Sequence, residues 1–310
     1  MSALICGSFA FDTIMVFQDH FKHHILPEQV HILNVSFLVP DMRREFGGCA
    51  GNIAYNLNML GGEGKPVGTV GDDFAPYAKW MDECGVSRDQ ILAIPGSYTA
   101  QAYITTDKDD NQITAFHPGA MNQAHQIDVS KIDGCTLGMV SPDGRQGMIE
   151  HAAQFADSGV PFIFDPGQGM PMFDGDSLLT FAEQADWLAF NDYEAMLMRE
   201  RTGKSLKQLA EMVDGVIVTR GGEGSEIITR SKSYTIPTAP VRAVVDPTGC
   251  GDAYRAGLLY GLMNDMDWET TGRIAALMGA IKIEQAGTQN HFVAAEELAH
   301  RFEKAFDYEF

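Results

Sequence analysis

Leu137-Gly138-Met139-Val140, Val160-Pro161-Phe162-Ile163-Phe164, Trp187-Leu188-Ala189-Phe190 and Gly215-Val216-Ile217-Val218-Thr219 are four short apolar runs within residues 137–219. Each is short for a helix and dense enough in apolar residues to be a buried strand. Between them, Arg145–Asp157, Asp176–Gln184 and Tyr193–Arg201 carry the pattern of helices. Strands alternating with helices make βαβ units, which build a mainly parallel sheet covered on both faces. The expected fold class is therefore α/β, a three-layer α/β/α domain, with ligands gathered at the carboxyl ends of the strands.

Working outward, Ala3–Phe9 reads as a buried opening strand that reaches Gly7-Ser8. Gly51–Leu60 has apolar positions at helical spacing and stops at Gly61-Gly62, a C-cap signal. Two stretches, 13–45 and 97–118, have a different character. Val35-Ser36-Phe37-Leu38-Val39 alternates as a half-exposed strand does, and Ala100–Thr106 and Gln112–Phe116 flank Asp109-Asp110-Asn111 as a hairpin does. These stretches are expected to pair as a small separate sheet, a lid over one edge of the main layer. The chain contains no internal repeat or linker, so one domain over residues 1–310 is expected.

There are 42 acidic and 22 basic residues, a formal charge of −20. Such a chain repels a phosphate backbone, which argues against a nucleic-acid polymer or an anionic membrane as partner. A small phosphorylated ligand is still admitted, because backbone dipoles alone can make a local anion site. The cysteines at 6, 49, 84, 135 and 250 are odd in number and dispersed, and no CxxC occurs. That pattern fits a reducing cytoplasm rather than a disulfide framework or a zinc site. The start of the chain lacks the character of a signal peptide, and no run of about 18 apolar residues occurs. A cytoplasmic protein is expected.

Asp246-Pro247-Thr248-Gly249-Cys250-Gly251-Asp252-Ala253-Tyr254 carries the chemistry. A helix follows, with Ala253, Ala256, Gly257 and Gly261 as a small-residue face. Gly249-x-Gly251 at its start exposes N–H groups which, with the helix dipole, form a site for phosphate oxygens. Asp252 lies in the first turn, where a carboxylate can take a proton from a substrate hydroxyl while the amides stabilise the transferring phosphoryl group. A helix-capping aspartate beside a glycine turn is the plain structural alternative for a bare GxGD. The longer string argues for the catalytic reading.

This string resembles the second signature of the ribokinase-like (PfkB) carbohydrate kinases, D-T-x-G-A-G-D. Gly47-Gly48-Cys49-Ala50-Gly51-Asn52 is similar to the family's first signature. Gly7-Ser8 with Asp12, Asn191-Asp192-Tyr193-Glu194 and Thr219-Arg220-Gly221-Gly222-Glu223-Gly224 match further motifs in family order. The resemblance implies a ribokinase-like fold and ATP- and Mg²⁺-dependent phosphorylation of a sugar hydroxyl, and it admits a monovalent cation. It implies Asp252 as base, with Gly249, Cys250 and Gly251 as the anion hole. Ser8, Asp12, Gly48 and Asn52 would hold the sugar. Asn191, Thr219, Gly221 and Gly224 would line the nucleotide, and Glu194 would organise Mg²⁺ through water. Arg255 would either aim at phosphate or pair with an acidic neighbour.

Within the family the chain most resembles the bacterial adenosine kinases, in Leu26-Pro27-Glu28, Ser36-Phe37-Leu38-Val39, Phe116-His117-Pro118-Gly119-Ala120-Met121 and Gly287-Thr288-Gln289. That implies adenosine as acceptor, with AMP as the product of purine salvage, Phe37 and Phe116 stacking on the base, and a homodimer formed through the lid. One departure is Ala102, where those kinases carry an aromatic residue. A broad nucleoside kinase, a ribose or fructose kinase, and a non-catalytic nucleoside-binding protein are the alternatives. A plain sugar has no use for Phe37 and Phe116, and a mere binder has no use for Asp252.

Other signals fail. Gly203-Lys204-Ser205 lacks the glycine a phosphate-binding loop needs five residues earlier, where Met198 stands. No GxGxxG follows the first strand. His20, His23, His24 and His31 lack a recognisable metal spacing and read as solvated lid residues.

Overall fold

The computed structural model describes residues 2–25, 34–109 and 111–310. Leu26-Pro27-Glu28, His31 and Asp110 lie outside the described residues.

Among the described residues, nine strands form one sheet and four a second. In the large sheet, β1 (Ser2–Cys6) is an interior strand, third from one edge. β4 (Glu63–Val70) and β5 (Ile91–Ala93) lie on one side of it. On the other side follow β8 (Cys135–Val140), β9 (Phe162–Phe164), β10 (Trp187–Asn191) and β11 (Gly215–Thr219). These strands are parallel, and β12 (Ser225–Ile228) and β13 (Ser233–Ile236) close that edge as an antiparallel pair. The chain leaves β1 towards β4 and later returns beside it as β8, so strand order reverses between β1 and β8. Such a reversal opens a crevice at the carboxyl ends of the strands.

The alternation of side chains along a strand explains why the runs are apolar throughout. Ala3 and Ile5 of β1 join a buried cluster with Ile53, Leu57 and Leu258, whereas Leu4 and Cys6 join another with Phe155, Phe164 and Phe181. Both faces are covered, so both side-chain sets are apolar. The covering helices include α1 (Cys49–Met59), α2 (Ala75–Cys84), α3 (Arg145–Ser158), α4 (Gly175–Gln184), α5 (Asp192–Thr202), α6 (Leu206–Ala210), α7 (Cys250–Met263) and α8 (Trp268–Lys282). The small face of α7 meets α8: a Cβ on Gly257 would lie 2.7 Å from the Ala275 nitrogen, and one on Gly261 2.6 Å from Thr271 Cγ2.

The second sheet has the order β3-β2-β6-β7, built from β2 (Ala10–Val16), β3 (Asp41–Gly47), β6 (Ala100–Thr106) and β7 (Gln112–His117). Its first strand begins at Ala10, so Asp12 stands on this sheet rather than beside it. The strand expected at Val35–Val39 is corrected: that segment alternates in exposure but belongs to no sheet, and the pairing falls to Asp41–Gly47. The apolar pattern misleads because Phe37 packs within an aromatic cluster with Phe17 and Phe21, at centroid distances of 4.8 and 5.0 Å. The strand that pairs carries Arg43, Arg44 and Glu45, whose charge hides its β character.

Candidate active site

The turn before α7 is held in an unusual backbone state. Gly249, its N-cap, has φ +80°, and a Cβ there would press 3.1 Å from Thr288. Only glycine takes that conformation without strain. First-turn N–H groups of a helix lack intrahelical partners, which leaves those of Gly251 and Asp252 facing the turn. The N–H of Cys250 differs, donating back to the Pro247 carbonyl at 3.1 Å.

Asp252 lies half-buried beside this turn. Its Oδ2 accepts from Asn52 Nδ2 at 2.7 Å, and Asn52 Oδ1 accepts from Gln289 Nε2 at 2.9 Å. Burial is the main cause of a pKa raised to about 6, with Asp165 adding to it and Asn52 and Arg255 opposing it. A carboxylate with a pKa near neutrality suits general-base work. Three residues on, Arg255 makes a buried two-pronged pair with Asp165, at 3.1 and 2.9 Å. The choice left open for Arg255 is thus settled in favour of the acidic neighbour.

Ser8 and Gly48 bring the N-terminal crevice to the same place. The N–H of Cys49 donates to Ser8 Oγ at 3.3 Å, and that of Ala50 to the Ser8 carbonyl at 3.1 Å. Gly48 has φ +90°, and a Cβ there would run into Phe9 Cα at 2.6 Å. On the small sheet, register aligns Glu45, Asp12, Ala102 and Phe116 in one row across four strands. Directly paired residues share a face. Burial first, and Glu45 second, raise Asp12 to about 6. Phe116 is 52% exposed. Phe37 lies elsewhere, at the far end of β2 against Phe17.

The third group stands at the ends of β10 and β11, where Asn191 and Thr219 are in register. Asn191 and Glu194 form a capping box at α5, with Glu194 Oε2 accepting from the Asn191 N–H at 2.8 Å and Oε1 from Asn191 Nδ2 at 2.9 Å. Burial, then Asp165, raise the pKa of Glu194. Gly221 and Gly224 bound a tight turn after Thr219, both at positive φ.

The profile described as pfkB family carbohydrate kinase matches residues 11–295. The chain belongs to this family. Like the family, it is a phosphotransferase acting on an alcohol acceptor. This PfkB kinase is 30% identical over 273 residues to a nucleoside kinase of Methanocaldococcus jannaschii, covering 87% of this chain and 90% of that protein. The solved structure of Burkholderia thailandensis nucleoside kinase in complex with inosine is similar with a TM-score of 0.91, at 51% identity over 99% of each chain. The same protein in complex with ADP-inosine gives 0.88 at 52% identity, covering 99% of this chain and 97% of that one.

Four residues of this PfkB kinase to which the motifs assigned no role stand out around the candidate site. Asp165 follows β9 and pairs with Arg255. Gln289 also bonds Tyr77 and Trp80, at 2.5 and 3.0 Å. Asp143, beyond β8, is 2% exposed, and burial raises its pKa to about 8. Lys282 is fully buried. The Gly287-Thr288-Gln289 segment pointed to Gln289. No motif pointed to the other three: Asp165 pairs with Arg255 90 residues away and Lys282 reaches Asp246 36 residues away, while Asp143 is set apart only by its burial. Among the described residues, no helix is long and apolar enough to cross a membrane.

Proposed function

We propose that this chain is an ATP- and Mg²⁺-dependent nucleoside kinase that phosphorylates the 5′-hydroxyl of purine ribonucleosides, without restriction to adenosine. The observation that carries this is the row Asp12–Ala102–Phe116 on one face of the small sheet. Two strand spacings separate its ends, about 10 Å, roughly the length of a nucleoside. Asp12 suits the vicinal ribose hydroxyls, because an ionised carboxylate accepting from both makes charge-assisted bonds. Phe116 suits the base, and the small Ala102 between them leaves room above the sheet. A plain sugar would not reach Phe116. The inosine complex of the Burkholderia thailandensis enzyme supports a base choice beyond adenine.

In this reading the small sheet is the lid. Asp252 takes the proton of the 5′-hydroxyl, whose oxygen forms a bond to the γ-phosphorus as the bond to the β-phosphate oxygen breaks. Asn52 holds the Asp252 carboxylate, and the amides of Gly249 and Gly251 stabilise the transferring oxygens. Thr219, Gly221 and Gly224 line the nucleotide. Glu194, oriented by Asn191, would hold a divalent cation through bridging water, whereas both Asp165 oxygens are taken by Arg255; Mg²⁺ beside Glu194 would neutralise phosphate charge. Exposed apolar residues on and beside the lid, Leu38 and Met42 among them, support a homodimer through this surface.

A thermal-shift and turnover panel of adenosine, inosine, guanosine, cytidine, ribose and fructose tests the reading, since a true ligand stabilises by mass action. Stabilisation and turnover with several purine nucleosides are expected. Turnover of ribose or fructose at the nucleoside rate would overturn it, and adenosine alone would narrow it.

A further inference from the structure

Lys282, the last residue of α8, has 0% of its surface exposed. Lysine is almost never fully buried unless paired, and no step above uses this one. Its Nζ donates to the Asp246 carbonyl at 2.7 Å and to the Gln285 carbonyl at 3.1 Å. The two oxygens belong to different segments. Asp246 opens the loop that leads through Thr248 to Gly249, while Gln285 belongs to the loop that carries Thr288 and Gln289.

The crossing of these loops is tied again around the ammonium. The N–H of Gly287 donates to Asp246 Oδ2 and that of Thr248 to Oδ1, both at 2.9 Å. The N–H of Asp246 donates to the Ile283 carbonyl at 3.1 Å. Burial of Asp246 opposes its ionisation, but these donors and Lys282 outweigh that and hold its carboxyl below the usual range. Burial likewise weakens the hold of Lys282 on its proton, and Asp246 acts the other way. One loop ends in the anion-binding turn, and the other ends in Gln289, which grips Asn52 and through it Asp252.

Two carbonyl oxygens and an adjacent carboxylate are the donor set of a hard cation. The family resemblance admits a diffusible monovalent ion, yet here the oxygens are taken by the chain's own ammonium. We infer that Lys282 is a positioning residue for phosphotransfer, a tethered cation that sets the anion-binding turn and makes a diffusible monovalent ion unnecessary there. The inference rests on the phosphotransfer site read above.

Wild-type turnover of inosine is measured in potassium, sodium and tetramethylammonium chloride at equal ionic strength, and equal rates are expected. Lys282→Met keeps the apolar stem without the charge; kcat should fall about tenfold or more while the nucleoside KM stays nearly constant, because small misplacements of reacting groups are penalised steeply. Lys282→Ala opens space, so potassium or methylammonium should restore part of its lost kcat. A wild-type rate that rises several-fold with potassium would overturn the inference even if both variants failed to fold. So would a Lys282→Met enzyme with wild-type kcat. Asp252→Asn is run in parallel: full turnover there sinks the site reading itself, whereas an inert Asp252→Asn beside an unaffected Lys282→Met sinks only the tethered cation.

Discussion

In the proposed mechanism two half-buried carboxylates, Asp252 and Asp12, divide the labour of the site, and substitution separates them. Asp252→Asn keeps the shape and the Asn52 neighbour but removes the proton acceptor. Its kcat should fall by roughly 10²–10⁴-fold, while nucleoside binding, read by thermal shift, persists. Asp12→Ala should instead raise the nucleoside KM by roughly 10- to 100-fold, the worth of hydrogen bonds to a charged group, and leave the ATP KM nearly unchanged. Equal changes in both KM values would make Asp12 a structural residue. The pH dependence follows from the same groups. Both carboxyls are raised to about 6, chiefly by burial, and in the proposed mechanism each works as the anion. Activity is therefore present above that value and is lost as pH falls through it and the groups take up protons. A kcat/KM profile with its acid limb near the ordinary carboxylate range, around 4, would count against this account.

At the scale of elements, the large sheet was legible in the sequence because its strands are covered on both faces and so are apolar end to end. β11 was read to the residue, Gly215–Thr219. The small sheet was legible only as a region. β3 carries charges on an exposed strand, and the apolar alternation of Val35–Val39 belongs to a segment packed on Phe17 instead. Asp252, Gly249 and Asn52 were visible because glycine turns and helix starts are local. Asp165 and Lys282 were not, since long-range pairing writes no short pattern, and Asp143 was not, since burial writes none either. The α7–α8 contact makes a further prediction. Gly257→Leu drives a side chain into Ala275, and overpacking of this kind typically costs about 1–3 kcal/mol. Thermal unfolding should fall accordingly. Turnover should fall more than nucleoside affinity, because α7 carries at its start the Gly249 turn proposed to bind the transferring phosphoryl group, while the Asp12 row stands on another sheet.

For the whole molecule, the small sheet leaves surface uncovered. All six residues of β7 are exposed, and Leu38 and Met42 are 84% and 69% exposed. Isolated exposed apolar residues are ordinary, but a group of them on and just before the edge strand β3 invites a second copy related by a two-fold axis. Sedimentation at micromolar concentration should find a dimer for the wild type and a monomer for Leu38→Asp combined with Met42→Asp. These side chains serve neither the turn nor the Asp12 row, so the monomeric variant tells whether assembly and turnover are coupled. A wild type that sediments as a monomer with full activity would remove the lid contact from the proposal.

The bond between Asn52 and Asp252 joins residues 200 positions apart, and that between Gln289 and Asn52 spans 237. A ribosome adding about 5–20 residues per second leaves Asn52 without Asp252 for roughly 10–40 s. The last strand of the large sheet ends at Ile236, so a nascent chain can complete its sheet while it is still chemically inert. In the proposed mechanism the scaffold therefore forms before the base arrives, and termination between Ile236 and Cys250 leaves every strand of the sheet present with no Asp252 to spend nucleotide.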